Sequence, residues 1–137
     1  MRYLLDANVV LRVLLADDPR QSPEARKLFV WAETRMGVLH LSAATLAEIG
    51  WVLRSYYKFD RVAIARQLRG VLLHPGIHAD AHLLQAVDFY EQLAVDFLDC
   101  VLAAEAMVGN DLGVVSFDRD YRRFSGLKWF TPGQIAP

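Results

Sequence analysis

Short β-type runs alternate with helix-compatible stretches along the whole chain, and two of those runs end on an aspartate. "RYLL" is an extended run closed by Asp6, and "VVLRVLLA" continues as a helix after the turn "DAN". In "DDPRQSPEARKLFVWAETRMG" the spacing predicts a helix capped by Ser22, with Pro23 at its first position, Glu24 in its first turn and Gly37 as its stop. "VLHL" reads as a second strand. Ser42 then caps a helix through "AATLAEIGWVLRSYY", and Asp60 caps another through "RVAIARQLRGVLL". "HPGIHAD" is a break with a short third strand, followed by the amphipathic helix "AHLLQAVDFYEQL". "DFLDCVLAAEAMVGN" starts at an acidic cap and stops at Gly109-Asn110. "GVVSF" reads as a buried strand, "DRDYRRF" as a turn or short helix, and "KWF" as a last strand. Strands that alternate with helices predict a parallel sheet covered on both faces. The expectation is one α/β domain over residues 1–137, a three-layer α/β/α arrangement around four to five parallel strands.

A chain of 137 residues and 15.5 kDa suits one such domain. No apolar run approaches the roughly 18 residues of a membrane span, and Arg2 leads straight into "YLLD", unlike a signal peptide. Cys100 is the only cysteine, so an intramolecular disulfide is excluded and a cytoplasmic location is expected. Its "FLDCVLAA" setting predicts a buried small hydrophobe rather than a reactive thiol. A net charge of −1 excludes a protein held on nucleic acid by global basicity, so any such ligand needs a local patch.

Four acids sit where an apolar core is being built: Asp6, Glu48, Asp99 and Asp118. Each has a structural explanation of its own. Asp6 with Asn8 could cap the next helix. Glu48 could emerge at a helix edge, although its helical neighbours Ala44, Thr45, Trp51 and Val52 include no base and its face reads as the core side. Asp99, three places after Asp96, could serve the helix dipole, and Asp118 and Asp120 could be turn residues. In open parallel α/β sheets, however, ligands gather at the carboxyl ends of the strands, where Asp6 and Asp118 both fall. Carboxylates converging there would repel by about 4 kcal/mol per pair at 4 Å and an effective dielectric of 20. A divalent cation relieves that cost, and an all-oxygen donor set suits Mg²⁺ or Mn²⁺.

Other constellations are weaker. His74, His78 and His82 are spaced by four, but Pro75-Gly76 interrupts the helix that would align them. There is no glycine-rich phosphate cradle and no nucleophile elbow. Two stretches carry the cations and aromatics of single-strand binding: "LRSYYKFDR", and "DRDYRRF" with Arg119, Arg122 and Arg123 beside the acids, the latter preferred.

"LLDANVVLR", "AEIGWVL", "DFLDCVLAAEA" and "VVSFDRDY", in that order over this length, resemble the PIN-domain ribonucleases, and most closely the VapC-like toxins of bacterial toxin–antitoxin pairs. By that similarity Asp6, Glu48, Asp99 and Asp118 are the four family acids and the metal ligands, with Asp118 preferred to Asp120 because it follows the strand directly. Asn8 and Ser116 match the polar residues of the supporting shell, Asp96 an extra acid of some members. Ala7 departs from the threonine or serine common there, which removes no ligand. The resemblance implies Mg²⁺-dependent RNA cleavage by a metal-activated water. It also implies an antitoxin partner that inserts an amphipathic segment near the acids, and a homodimer; Leu15, Leu28, Trp31, Trp51 and Phe59 are the expected contacts. Two other classes compete: an aspartate-based phosphoryl-transfer or phosphatase-like domain, which would want an acid where Asn8 stands, and a non-catalytic protein-binding module.

Overall fold

Three short parallel strands organise the first eighty residues: β1 (Arg2–Leu4), β2 (Val38–His40) and β3 (Ile77–His78), in the order β1-β2-β3. In this computed structural model, which describes residues 1–136, Tyr3 pairs with Leu39 and His40 with His78. The Leu5 amide donates to the His40 carbonyl and the Leu41 amide to the His78 carbonyl, both at 2.9 Å, so each ladder reaches one residue past its strand. The strands are joined through α1 (Ala7–Leu15), α2 (Gln21–Glu33), α3 (Ala43–Ser55) and α4 (Arg61–Leu72). This unit, Met1–Asp80, buries Val10, Leu39, Leu41, Leu46, Ile49 and Leu53 completely or nearly so. Each such side chain contributes roughly 1.5–3 kcal/mol.

Helix starts follow capping chemistry. The Ser42 hydroxyl accepts from the Thr45 amide at 3.2 Å and the Asp60 carboxylate from the Ala63 amide at 2.7 Å, as expected. The second helix departs from expectation. It begins at Gln21, and Asp18 rather than Ser22 serves its free amides, accepting from Arg20 at 3.0 Å and Gln21 at 2.7 Å. Ser22 is buried within the first turn, where its hydroxyl accepts from the Asp18 amide at 3.3 Å. A carboxylate three residues upstream reaches two amides at once, and the serine completes the exchange as in a capping box. Gly37 does not stop that helix either. The chain turns at Arg35, whose φ is 61°, and Gly37 is required because a Cβ there would run into the Trp31 ring.

The second unit, from Ala81 onwards, pairs α5 (His82–Gln92) with α6 (Phe97–Val108) along their lengths. Two further strands, β4 (Val114–Val115) and β5 (Trp129–Phe130), are parallel, with Val114 opposite Trp129 and Val115 opposite Phe130. A 3₁₀ turn (Arg119–Arg123) lies between them, and a short α7 (Pro132–Ile135) closes the described chain. Helices with parallel strands are the α/β class the sequence implies. Among the described residues, five strands form a three-stranded and a two-stranded sheet. "GVVSF" is not the buried strand expected: Val114 and Ser116 are half-buried while Val115 and Phe117 are exposed, so only alternate residues turn inward. Cys100 is fully buried, as its apolar setting indicated.

Candidate functional site

Asp6 follows β1 and occupies the N-cap position of α1, with extended backbone. Its side chain makes no capping hydrogen bond and is exposed, so capping does not account for the carboxylate. Asn8, also exposed, stands on the first turn of α1 beside a cavity of about 500 Å³ that Arg12, Gln21 and Glu24 also line.

Glu48 is on the exposed side of α3 and not on its core face. Leu46, Ile49 and Leu53 take the buried positions, and Ala44, Glu48 and Trp51 form an exposed stripe. Sequence neighbours alone do not reveal which stripe of an apolar helix faces inward, and here the carboxylate avoids burial. Its placement along the helix is nonetheless informative. The Thr45 hydroxyl donates to the Leu5 carbonyl at 3.2 Å, tying the first turn of α3 to the residue before Asp6. Glu48 lies three residues beyond Thr45, one turn along the same side. Within this unit, Asp6 and Glu48 therefore belong to the carboxyl end of the parallel strands, where α/β sheets bind ligands.

In the second unit the acids gather around the start of α6. Asp96 is its N-cap residue, without a capping hydrogen bond, and Asp99 is half-buried in its first turn. The Tyr121 hydroxyl donates to Asp99 Oδ1 at 3.0 Å. Burial raises the Asp99 carboxyl above its ordinary value of 3.8, and Asp118, Asp96 and Asp120 press in the same direction while the Tyr121 hydrogen bond opposes them. Burial and the Asp99 charge likewise drive the Tyr121 phenol well above its ordinary value, which keeps it a proton donor.

The loop carrying Asp118 is braced. Its amide donates to the Ser116 hydroxyl and its carboxylate accepts from the Asp120 amide, both at 2.9 Å. Trp129 Nε1 holds the Ser116 carbonyl at 2.9 Å. Arg123 donates to the Ala94 carbonyl at 2.9 Å, so its guanidinium braces the 3₁₀ turn against the approach to α6. Arg119 and Arg122 are exposed, and Arg122 donates to the Arg119 carbonyl at 3.3 Å. Phe89, Phe124 and Tyr121 form an aromatic chain, with edge-on contact at 5.1 Å between the first two, that sets the phenol in place. Tyr121 is the site residue that sequence reasoning missed. The only signal was an aromatic between charged residues in "DRDYRRF", because its partner lies 22 positions away.

Among the described residues, no three carboxylates, imidazoles or thiolates stand close enough to hold one metal ion. Of the spaced histidines, His74 is already partnered: its Nε2 lies 3.0 Å from Glu33 Oε1, and its Nδ1 accepts from the Gly76 amide at 3.0 Å. The donor set nevertheless fits a hard cation. Four carboxylates share one field at Asp99, and Mg²⁺ characteristically retains waters and takes only one or two carboxylates plus substrate phosphates. Among the described residues, no helix is long and apolar enough to cross a membrane.

The family model described as the PIN domain matches residues 3–127, a span that runs through both units. No curated protein matches the chain.

Proposed function

The chain belongs to the PIN domain family, whose members are in general nucleases that use divalent metals, and on that premise we propose that it is a Mg²⁺-dependent endoribonuclease. The observation that carries the proposal is the Asp99 carboxyl, half-buried, bonded to Tyr121 and opposed by three other carboxylates. Such an arrangement costs stability and serves a cation.

In this reading Asp6, Asp99 and Asp118 are the carboxylates that would hold Mg²⁺ or Mn²⁺, with Glu48 a further ligand or the base that accepts a proton from the attacking water. When bound, a divalent ion supplies Lewis acidity and offsets charge on the phosphate oxygens. Tyr121 fixes the rotamer of Asp99 through its hydrogen bond. Ser116 fixes the loop that presents Asp118, and Asp120 anchors the far side of that loop through its amide. Asn8 and Asp96 supply polar support, and Arg119 and Arg122 pair with RNA phosphates. Arg123 contributes through the fold of the turn. No covalent enzyme intermediate is involved, so the product arises in one hydrolytic displacement.

A groove of about 450 Å³ supports the toxin reading. Tyr3, Leu4, Val9, Leu28 and Trp31 line it, with Asp6 at its edge. We assign it to the amphipathic segment of an antitoxin, which would set a polypeptide beside Asp6. Leu28 and Trp31 are then contacts as expected from the sequence. A cytoplasmic homodimer completes the proposal.

Incubation of the protein with single-stranded RNA in Mg²⁺ or EDTA tests the reading. Cleavage in Mg²⁺ only, lost in Asp6→Asn and Asp99→Asn, is the expected result. Intact RNA in every sample would favour a binding module instead.

A further inference from the structure

The exposed surface that begins at Glu48 does not end there. Trp51, one turn on, is 66% exposed, and Tyr56, at the C-terminal end of α3, is 77% exposed. Large aromatics left this open on a folded chain call for a partner. The Tyr56 end is ordered: Tyr56 meets Tyr57 edge-on at 5.2 Å, and Tyr57 meets the half-buried Phe59 at 6.5 Å. The Tyr57 amide donates to the Val52 carbonyl at 3.2 Å, the Phe59 amide to the Leu53 carbonyl at 2.9 Å, and Lys58 takes a left-handed φ of 59°. A lysine in that conformation is uncommon and fixes the direction of the turn.

Charge decides what this face fits. From Glu48 to Arg69 the sequence carries five cations and two carboxylates, Glu48 and, in the turn itself, Asp60, within a chain of net charge −1. The Asp60 carboxylate caps α4 through the Ala63 amide. Arg54, Lys58 and Arg66 are exposed. A second copy of the chain would set this cationic surface against itself across a twofold axis, whereas a polyanion is complementary to it.

We propose that the α3–α4 turn is the track for the single-stranded RNA substrate, with Trp51 and Tyr56 stacking bases and Arg54 and Lys58 pairing with phosphates on the way to Glu48. The inference deepens the nuclease reading and rests on it for the direction of the strand. Glu48 and Tyr56 are separated by about 12 Å of axial rise and roughly a quarter-turn around α3, so the strand between them wraps the helix end and covers at least three nucleotides at the ~3.4 Å rise of a stacked strand.

The test is fluorescence anisotropy of a labelled single-stranded RNA 12-mer with the full chain in EDTA, across a salt series, beside cleavage in Mg²⁺. Trp51→Leu and Tyr56→Leu are expected to weaken binding by about tenfold each, with Trp51→Phe and Tyr56→Phe recovering most of it. The double substitution Arg54→Ala/Lys58→Ala is expected to flatten the salt slope by about 1.4. All positions are exposed, so melting temperatures should stay at the wild-type value. Unchanged affinity and salt slope in these variants, with wild-type cleavage intact, overturn the track and leave the nuclease reading standing. Binding losses as stated, with no cleavage by any sample, support the track and remove the nuclease reading. Sedimentation showing that Trp51→Leu dissolves a dimer while RNA affinity is unchanged also overturns the track, because the face then joins copies of the chain.

Discussion

Replacing Asp99 with asparagine should stabilise the protein while abolishing cleavage. Two effects oppose one another at this position. The start of α6 favours a negative charge by about 0.3–1 kcal/mol. Partial burial and the charges of Asp118, Asp96 and Asp120 disfavour it, and together they raise the Asp99 carboxyl against the Tyr121 hydrogen bond. Asparagine retains an oxygen to accept from Tyr121. Asp96, three residues before Asp99, alone contributes repulsion of about 0.2–0.5 kcal/mol at helical spacing, and solvent screening of a half-exposed group limits the remainder. The Asp96 repulsion and the helix-end attraction roughly cancel, so the net gain is the screened remainder, a few tenths of a kcal/mol or about 1–2 °C for a chain of this size. The pH dependence has a definite sign. A carboxyl raised above 3.8 binds its proton more readily in the folded state. Wild-type stability from this group is therefore full below 3.8 and is lost as pH rises through the folded value. The advantage of Asp99→Asn should accordingly be greatest near neutrality and vanish at about pH 3. Thermal unfolding by circular dichroism in EDTA, at low salt and across this range, reads the effect. Mg²⁺ at ten times its Kd should then add about 1.4 kcal/mol to the wild type only. A variant that melts below the wild type at neutral pH, or that still cuts RNA, refutes the reasoning.

Tyr121→Phe removes a hydrogen bond and should cost about 1 kcal/mol. It also removes the influence that lowers Asp99, so the acid limb of the pH–rate profile should move to higher pH. Asp120→Asn removes one that raises it and should move that limb the opposite way. Asp6→Asn should alter stability by less than about 0.5 kcal/mol, since the side chain caps nothing, yet eliminate cleavage. Ser42→Ala is the converse, costing about 1 kcal/mol in chemical denaturation with cleavage per folded molecule retained. Gly113→Ala should cost about 1–3 kcal/mol, because a Cβ there would strike the Lys128 carbonyl across the β4–β5 ladder.

Much of the fold was legible because local chemistry determines it. Ser42 and Asp60 each stand before an apolar helical run and have only one use there, to accept from an amide three residues on. Ser22 misled because Asp18, four residues upstream, offers the stronger acceptor. The short α7 was missed: four residues leave no periodicity to detect, although Thr131 and Gln134 form its capping box. In the candidate site, the positions of Asp6 and Asp118 after strands were legible, with β1 ending at Leu4 and β4 at Val115. Glu48 was picked out for a reason the structure corrects, its supposed burial. Tyr121 was invisible because a hydrogen bond spanning 22 positions depends on packing of Phe89 and Phe124, which no local pattern encodes.

The proposed function requires divalent-ion uptake that depends on Asp6 as well as on Asp99. Calorimetric titration of Mg²⁺ into the full chain with a non-cleavable single-stranded RNA tests it most directly. Saturable uptake by the wild type, lost in Asp6→Asn and lost again in Asp99→Asn, is the predicted result. Uptake that survives both substitutions, or no uptake by the wild type, would contradict it.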